Sequence, residues 1–76
     1  MPVKIYTTST CHFCVMAKDF LKKENIKFSE INVEKDQKAA QEMIEKSGQM
    51  GVPVLDINGK IIVGFDKRAI EKALKN

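Results

Sequence analysis

With 76 residues, the chain has room for one domain, spanning 1–76, with one modest hydrophobic core. Its 43% hydrophobic and 30% charged residues exclude a disordered protein. The net charge of +3 does not indicate nucleic-acid binding, because the lysines alternate with acidic residues and no basic stripe with aromatic side chains is present.

Two features bear on location. The first residues, Met1-Pro2-Val3-Lys4, lack the charged-then-apolar layout of a secretory signal. The longest apolar run, Ile61 to Phe65, is far shorter than the roughly 18 residues of a membrane span. We therefore expect a cytoplasmic protein with no membrane association, and structural disulfides are rare in that compartment. We also expect a monomer.

The first half of the chain predicts a strand, a helix and a strand. The first strand runs from Val3 to Thr7, and hydroxylated residues suited to capping a helix follow it. Helical spacing extends from Cys14 to Glu24, and its apolar face consists of Phe13, Ala17, Phe20 and Leu21. A second strand covers about residues 27–33. Phe28 and Ile31 lie on its opposite faces, which favours a sheet covered by helices on both sides.

The second half predicts a helix, a hairpin and a last helix. Asp36 caps the second helix, Gly48 ends it, and the predicted inward residues are Ala40, Met43, Ile44 and Ser47. Charged residues of this segment, including Glu42 and Lys46, are expected on a solvated face. Asn58-Gly59 joins the strands Val52–Ile57 and Lys60–Val63 in a hairpin. Asp66 caps the last helix, whose buried residues are Ile70, Ala73 and Leu74.

The predicted order is therefore βαβαββα. The first βαβ unit gives a right-handed parallel pair of strands, and the hairpin adds antiparallel strands beside it. The fold class is α/β, with a four-stranded mixed sheet and three helices.

The two cysteines of the chain, Cys11 and Cys14, form a C-x-x-C between the first strand and the first helix. In a chain with βαβ patterning this motif indicates a dithiol redox site. Cys11 at the helix N-terminus lies where free N–H groups and the helix dipole stabilise a thiolate, so it is the predicted nucleophile. Cys14, one turn deeper, is the predicted resolving thiol.

Other interpretations of the pair are weaker. A structural disulfide closing so short a loop contributes little. A zinc site requires four ligands, whereas the candidate ligands in this chain are two cysteines and His12, so no metal site is predicted. Two unreactive core cysteines are disfavoured by the polar neighbours Thr10 and His12. His12 itself either favours the Cys11 thiolate as a cation or is an exposed side chain with little effect.

Several motifs together resemble one family. They are Tyr6-Thr7, Cys11-His12-Phe13-Cys14, Ser47-Gly48-Gln49, Val52-Pro53 and Gly64-Phe65-Asp66. This set resembles the glutaredoxins of the thioredoxin-fold superfamily over nearly the whole chain. The resemblance implies a thioredoxin fold, a cis Pro53, and glutathione as a co-substrate with no bound cofactor.

The same resemblance implies a glutathione-binding set. Its residues are Thr8, His12, Phe13, Gln49, Val52, Pro53, Phe65, Asp66 and Lys67. The backbone of Val52 would pair with the cysteinyl part of glutathione. Helix N-terminal amides and the Asp66 carboxylate would hold its γ-glutamyl end, and Gln49 would lie near its glycine carboxylate.

The chain departs from the usual family pattern at positions that bear on the substrate. Glutaredoxins typically have Pro-Tyr where this chain has His12-Phe13, and often a lysine at the position of Thr8. Val63-Gly64 replaces the usual Gly-Gly, and Lys67 replaces a frequent second acid. Because glutathione carries two carboxylates, these changes alter the charge available to bind it.

We therefore expect a glutathione-linked oxidoreductase that reduces protein or glutathione mixed disulfides. One alternative is a redoxin with the same dithiol chemistry that is regenerated by a thioredoxin reductase. Another is a binding module that carries a [2Fe–2S] cluster between two chains through Cys11 and glutathione, although such carriers more often have a single cysteine in a Gly-Phe-Ser setting.

Overall fold

The predicted order of elements is confirmed in the computed structural model, which describes residues 2–75. The strands and helices are β1 (Val3–Thr7), α1 (His12–Lys23), β2 (Ser29–Asn32), α2 (Gln37–Ser47), β3 (Val54–Ile57), β4 (Lys60–Val63) and α3 (Lys67–Leu74). Met1 and Asn76, which the predicted domain includes, lie outside the described residues. Within this described range no helix is long and apolar enough to cross a membrane.

The sheet is four-stranded and mixed, as predicted. Its order is β2-β1-β3-β4, with β1 parallel to β2 and antiparallel to β3, and with β3 antiparallel to β4. The turn between β3 and β4 has positive φ at Asn58 (53°) and at Gly59 (90°), as a two-residue hairpin with a type I′ turn requires. The hairpin predicted from Asn-Gly is therefore confirmed.

The core has two parts, one on each face of the sheet. The first lies under α1 and α3 and consists of Val3, Ile5, Ala17, Leu21, Leu55, Ile57, Ile62, Ile70 and Ala73. The second lies under α2 and consists of Tyr6, Ala39, Met43 and Val54. Phe28 packs against the first part and Ile31 against the second. This confirms the prediction that both faces of the sheet are covered.

Two strands are shorter than predicted. β2 covers Ser29–Asn32 rather than about 27–33, because it is an edge strand that pairs with only four residues of β1. β3 begins at Val54 rather than at Val52. Pro53, which has no N–H to donate to a strand neighbour, lies just before β3.

Two apolar side chains that were predicted on the buried faces of helices are exposed. Phe13 is 58% exposed, since α1 buries Cys14, Ala17 and Leu21 and successive helix positions are about 100° apart. In α2 the buried residues are Ala39 and Met43, and Ile44 is 37% exposed. The predicted inward stripe of α2 was thus wrong by about one residue.

A polar network joins α2 to the sheet, contrary to the prediction of a solvated helix face. The hydroxyl of the buried Tyr6 donates to Glu42 Oε1 at 2.7 Å and accepts from Lys46 Nζ at 3.1 Å. Lys46 also bonds Asp56 Oδ2 in β3 at 2.8 Å. Burial, followed by the hydrogen bond to Glu42, raises the pKa of Tyr6. The network fixes α2 over β1 and β3.

Candidate active site

Cys11 is the N-cap of α1. Its backbone is extended (φ −89°, ψ 109°), and its Sγ accepts a hydrogen bond from the backbone N–H of Cys14 at 3.1 Å. The sulfur thus occupies the place that a Ser, Thr or Asp oxygen takes at most helix starts. The side chain remains half-buried, so a disulfide in solution can reach it. Cys11 therefore lies at the N-terminal start of α1, where the sequence predicted it.

Cys14 lies one turn deeper and is 1% exposed. Burial, and next the hydrogen bond with Cys11, raise the pKa of Cys14 from 9.0 to about 12, although a hydrogen bond with the backbone of Thr8 lowers it. The expectation that polar neighbours keep both cysteines from full burial therefore holds for Cys11 and is wrong for Cys14. The reason is that Cys14 falls on the inward face of α1.

This raised pKa predicts a loss of stability at alkaline pH. In the unfolded chain the pKa of Cys14 returns towards its ordinary value of 9.0, whereas it is about 12 in the folded reduced protein. The stability gained by burying the neutral thiol is fully present at pH values below the pKa of Cys14 in the unfolded chain. It is lost as the pH rises through the pKa of Cys14 in the folded protein. The expected slope is at most about 1.4 kcal/mol per pH unit. Urea unfolding of the reduced protein between about pH 8 and about pH 11 measures it.

The control for this prediction is Cys14→Ala. Because the pKa of Tyr6 is also raised, part of any alkaline loss occurs in both proteins, and the difference between them isolates Cys14. Equal pH dependence of the free energy of unfolding in the two proteins would contradict the assignment.

Tertiary structure brings Val52 to Cys11. The Val52–Pro53 peptide bond is cis, as the resemblance implied. The Cys11 thiol donates to the carbonyl oxygen of Val52 over 3.8 Å, a weak contact typical of sulfur. Pro53 in turn accepts from the N–H of Gly64 at 2.7 Å, which ties this segment to the residue after β4.

A groove of about 320 Å³ begins beside this segment. Its lining residues are Phe13, Val52, Pro53, Val63, Gly64, Phe65 and Asp66. It therefore brings together five residues of the predicted glutathione-binding set, which come from three distant parts of the chain. Asp66 closes the groove at the start of α3, where its Oδ1 accepts from the N–H of Ala69 at 3.1 Å.

The other four predicted residues do not line this groove. Thr8 is half-buried, and its backbone contacts the Cys14 thiol. His12 is exposed and packs edge-on against Phe13, with ring centroids 6.1 Å apart. Lys67 Nζ lies over the Phe20 ring, 5.6 Å from its centroid. Gln49 is hydrogen-bonded within its own loop. Their roles towards glutathione stay predictions.

The loop before Cys11 is held by residues that the sequence did not single out. Glu34 Oε1 accepts from the backbone N–H of Ser9 at 2.6 Å, and Asn32 Nδ2 donates to Ser9 Oγ at 3.0 Å. The bonded residues are more than 20 positions apart in the sequence, so no local pattern predicts the contact. Across residues 2–75 no group of three or more His, Cys, Asp and Glu side chains is placed to hold a metal ion.

Comparison with known proteins identifies the family. The family model named Glutaredoxin matches residues 3–62 of this chain, which include both cysteines and the cis proline. The chain belongs to the glutaredoxin family. Glutaredoxins act in thiol–disulfide exchange, so membership supports a redox role for this protein.

Relatives of this glutaredoxin span nearly its whole length. An uncharacterised glutaredoxin-like 8.6 kDa protein in the rubredoxin operon of Clostridium pasteurianum is 48% identical over 73 residues, covering 96% of this chain and 97% of that one. The crystal structure of a glutaredoxin from Archaeoglobus fulgidus superposes with a TM-score of 0.90 at 26% identity, covering 97% and 86% of the two chains. NrdH-redoxin from Escherichia coli, described as a glutaredoxin-like protein with a thioredoxin-like activity profile, superposes at 0.86 and 26% identity, covering 95% and 93%. These neighbours confirm the thioredoxin fold.

Proposed function

We propose that this glutaredoxin reduces protein disulfides or glutathione mixed disulfides, with Cys11 as the nucleophile and Cys14 as the resolving thiol. The observation that carries the proposal is the asymmetry of the pair. Cys11 is only partly buried at the start of α1, while Cys14 is buried and its pKa is raised to about 12. Two thiols in such different surroundings are suited to two successive roles.

The reaction has two steps. The Cys11 thiolate attacks one sulfur of the substrate disulfide, the substrate S–S bond breaks, and the leaving thiolate takes up a proton. Cys14 then loses its proton, and its sulfur attacks Cys11 in the mixed disulfide. The second substrate sulfur leaves as a thiolate and takes up a proton as the Cys11–Cys14 disulfide forms. The dithiol has then given two electrons to the substrate.

Glutathione is the proposed electron donor for regenerating the dithiol. The groove beside Cys11 is lined by Val52, whose backbone would pair with a cysteinyl moiety, and by Asp66 at the N-terminus of α3, where the helix dipole would attract a carboxylate. A glutathione sulfur bonded to Cys11 would have both features within one groove. No bound cofactor is needed in this scheme.

A thioredoxin reductase is the second candidate donor, and the charge of the groove favours it. Of the described residues that line the groove, none is Lys or Arg, and Asp66 supplies a negative charge. Glutathione carries two carboxylates, so a groove of this charge binds it less well than one with cations. The similarity to NrdH-redoxin, with its thioredoxin-like activity profile, supports the same candidate.

Two coupled assays decide between these donors. NADPH oxidation is followed with insulin or a glutathionylated protein as substrate, once with glutathione and glutathione reductase and once with a thioredoxin reductase. Turnover with glutathione supports the first candidate. Turnover only with thioredoxin reductase would show that the second candidate is the electron donor. A reduced protein that transfers no electrons to any disulfide would refute the function itself.

A further inference from the structure

Gln49, in the loop between α2 and β3, bonds its own loop with both ends of its carboxamide. Its Oε1 accepts from the backbone N–H of Gly51 at 2.6 Å. Its Nε2 donates to the carbonyl of Gly51 at 3.0 Å and to Ser47 Oγ at 3.2 Å. The amide group of Gln49 thus pairs with both backbone groups of Gly51.

Ser47 anchors this arrangement to α2. Its Oγ lies 2.7 Å from the carbonyl oxygen of Met43 in the preceding turn and 3.0 Å from the carbonyl oxygen of Gln49. Met43 is part of the core under α2. Residues 49–51 are therefore tied through Ser47 to a buried segment of the helix.

A glycine at position 51 permits the Gln49 conformation. A Cβ added to Gly51 would lie 2.7 Å from Gln49 Oε1, closer than a Cβ atom comes to a non-bonded heavy atom. Gly51 is not among the glycines with positive φ, so left-handed backbone strain does not oppose an alanine there. Among the described residues the single obstacle within 3 Å is the Gln49 carboxamide, which would have to leave its place.

Residues 49–51 lead directly to the backbone segment that contacts Cys11. Gly51 is followed by Val52, whose carbonyl oxygen accepts a hydrogen bond from the Cys11 thiol, and by Pro53, which lines the groove. Any shift of residues 49–51 would therefore move the backbone that faces the sulfur. Misplacement of a group beside the reacting atoms lowers the rate of any substrate that reacts there.

We propose that Gln49 is a positioning residue, which holds the Val52 backbone against Cys11 and does not bind the substrate, and that Gly51 keeps it in this role. This inference rests on the proposed dithiol exchange and concerns how the site is held. It differs from the part that the family resemblance implied for Gln49, which was contact with the glycine carboxylate of glutathione.

The test uses two disulfides and an independent structural readout. The pre-reduced protein is mixed with glutathione disulfide, which carries carboxylates, or with bis(2-hydroxyethyl) disulfide, which carries no charge, and single-turnover rate constants are measured. We expect Gln49→Ala to lower both by a similar factor, about tenfold. In the same variant, hydrogen exchange of the Gly51 amide, followed by NMR, should lose its protection.

A second substitution tests the part played by Gly51. Gly51→Ala should lower both rate constants as Gln49→Ala does, and the double variant should be no worse than either single one, because both remove the same contact. Gln49→Glu keeps an oxygen for the Gly51 N–H but loses both donations, so it should fall between wild type and Gln49→Ala. Gln41→Ala, on the exposed part of α2, is the matched control and should change nothing.

The outcomes separate this inference from the proposed function. A loss confined to glutathione disulfide in Gln49→Ala, or a Gly51 amide as protected as in wild type, would overturn the positioning role. Wild-type protein that reacts with neither disulfide and also fails to reduce insulin would refute the oxidoreductase proposal, and the exchange measurement would still test whether Gln49 holds the loop.

Discussion

Cys14→Ser is expected to stop the reaction after its first step and to leave the substrate bonded to Cys11. Cys11 Sγ stays half-buried at the start of α1, so the first attack proceeds, but a serine hydroxyl cannot displace the mixed disulfide. Incubation with glutathione disulfide should add about one glutathionyl group per chain, seen by intact-protein mass spectrometry and removed by dithiothreitol. Reduction of protein disulfides should fall by roughly 100-fold.

The matched variant is Cys11→Ser. It removes the reachable sulfur and leaves Cys14, which is 1% exposed and whose pKa is raised to about 12. We expect neither an adduct nor activity. Disulfide reduction by Cys11→Ser, or an adduct found on Cys14 in that variant, would contradict the assigned order of nucleophile and resolving thiol.

Leu55→Ala is expected to destabilise the protein by about 3 kcal/mol. Leu55 is fully buried in β3, where its register partners are Ile5 in β1 and Ile62 in β4. All three belong to the core under α1 and α3, so the substitution opens a cavity at its centre. Because domains of this size are only marginally stable, such a loss is a large share of the total. Urea unfolding measures it.

Val63→Ala is the control for this change. Val63 lies in the neighbouring strand β4 and is 48% exposed, so its substitution should cost less than about 1 kcal/mol. Equal losses in the two variants would mean that the core is not centred on Leu55. Since Val63 also lines the groove, its variant is used here for stability alone.

Local patterns were enough to predict the architecture. Asn58-Gly59 predicts the hairpin because few residues other than Asn and Gly tolerate positive φ at two successive positions. Asp36 and Asp66 cap the helices as predicted, each accepting from the N–H three residues later. These signals act over a few residues, where backbone sterics and hydrogen bonding dominate.

Errors arose where the outcome depended on distant partners. The length of β2 depends on how much of β1 is available to pair with it, and Ile44 is exposed because α2 faces the sheet through Ala39 and Met43. The Tyr6–Glu42–Lys46 network joins residues up to 40 positions apart. A helical pattern leaves the orientation of the helix uncertain by about one residue, which is enough to move a side chain by about 100°.

Gln49 illustrates the same limit in the active site. The family resemblance implies contact with a substrate carboxylate, which stays a prediction, whereas the structure shows contacts with the backbone of Gly51, where a Cβ would lie 2.7 Å from Gln49 Oε1. The sequence contains both residues, yet nothing in their order says that the carboxamide will pair with the Gly51 backbone. That pairing depends on the path of the loop.

The cysteine pair was recognisable without coordinates. Spacing alone puts Cys11 and Cys14 on one helix turn, since successive turns repeat every 3.6 residues, and the strand-to-helix setting puts Cys11 at the helix start. What the fold added is the difference between the two sulfurs, because burial depends on which face of α1 meets the sheet. It also added the neighbours of Cys11: Val52 comes to the sulfur from 41 residues away through the packing of β3 beside β1. Chemistry that depends on residues close in sequence can be predicted from the sequence, whereas burial and long-range contacts arise only when the strands and helices pack.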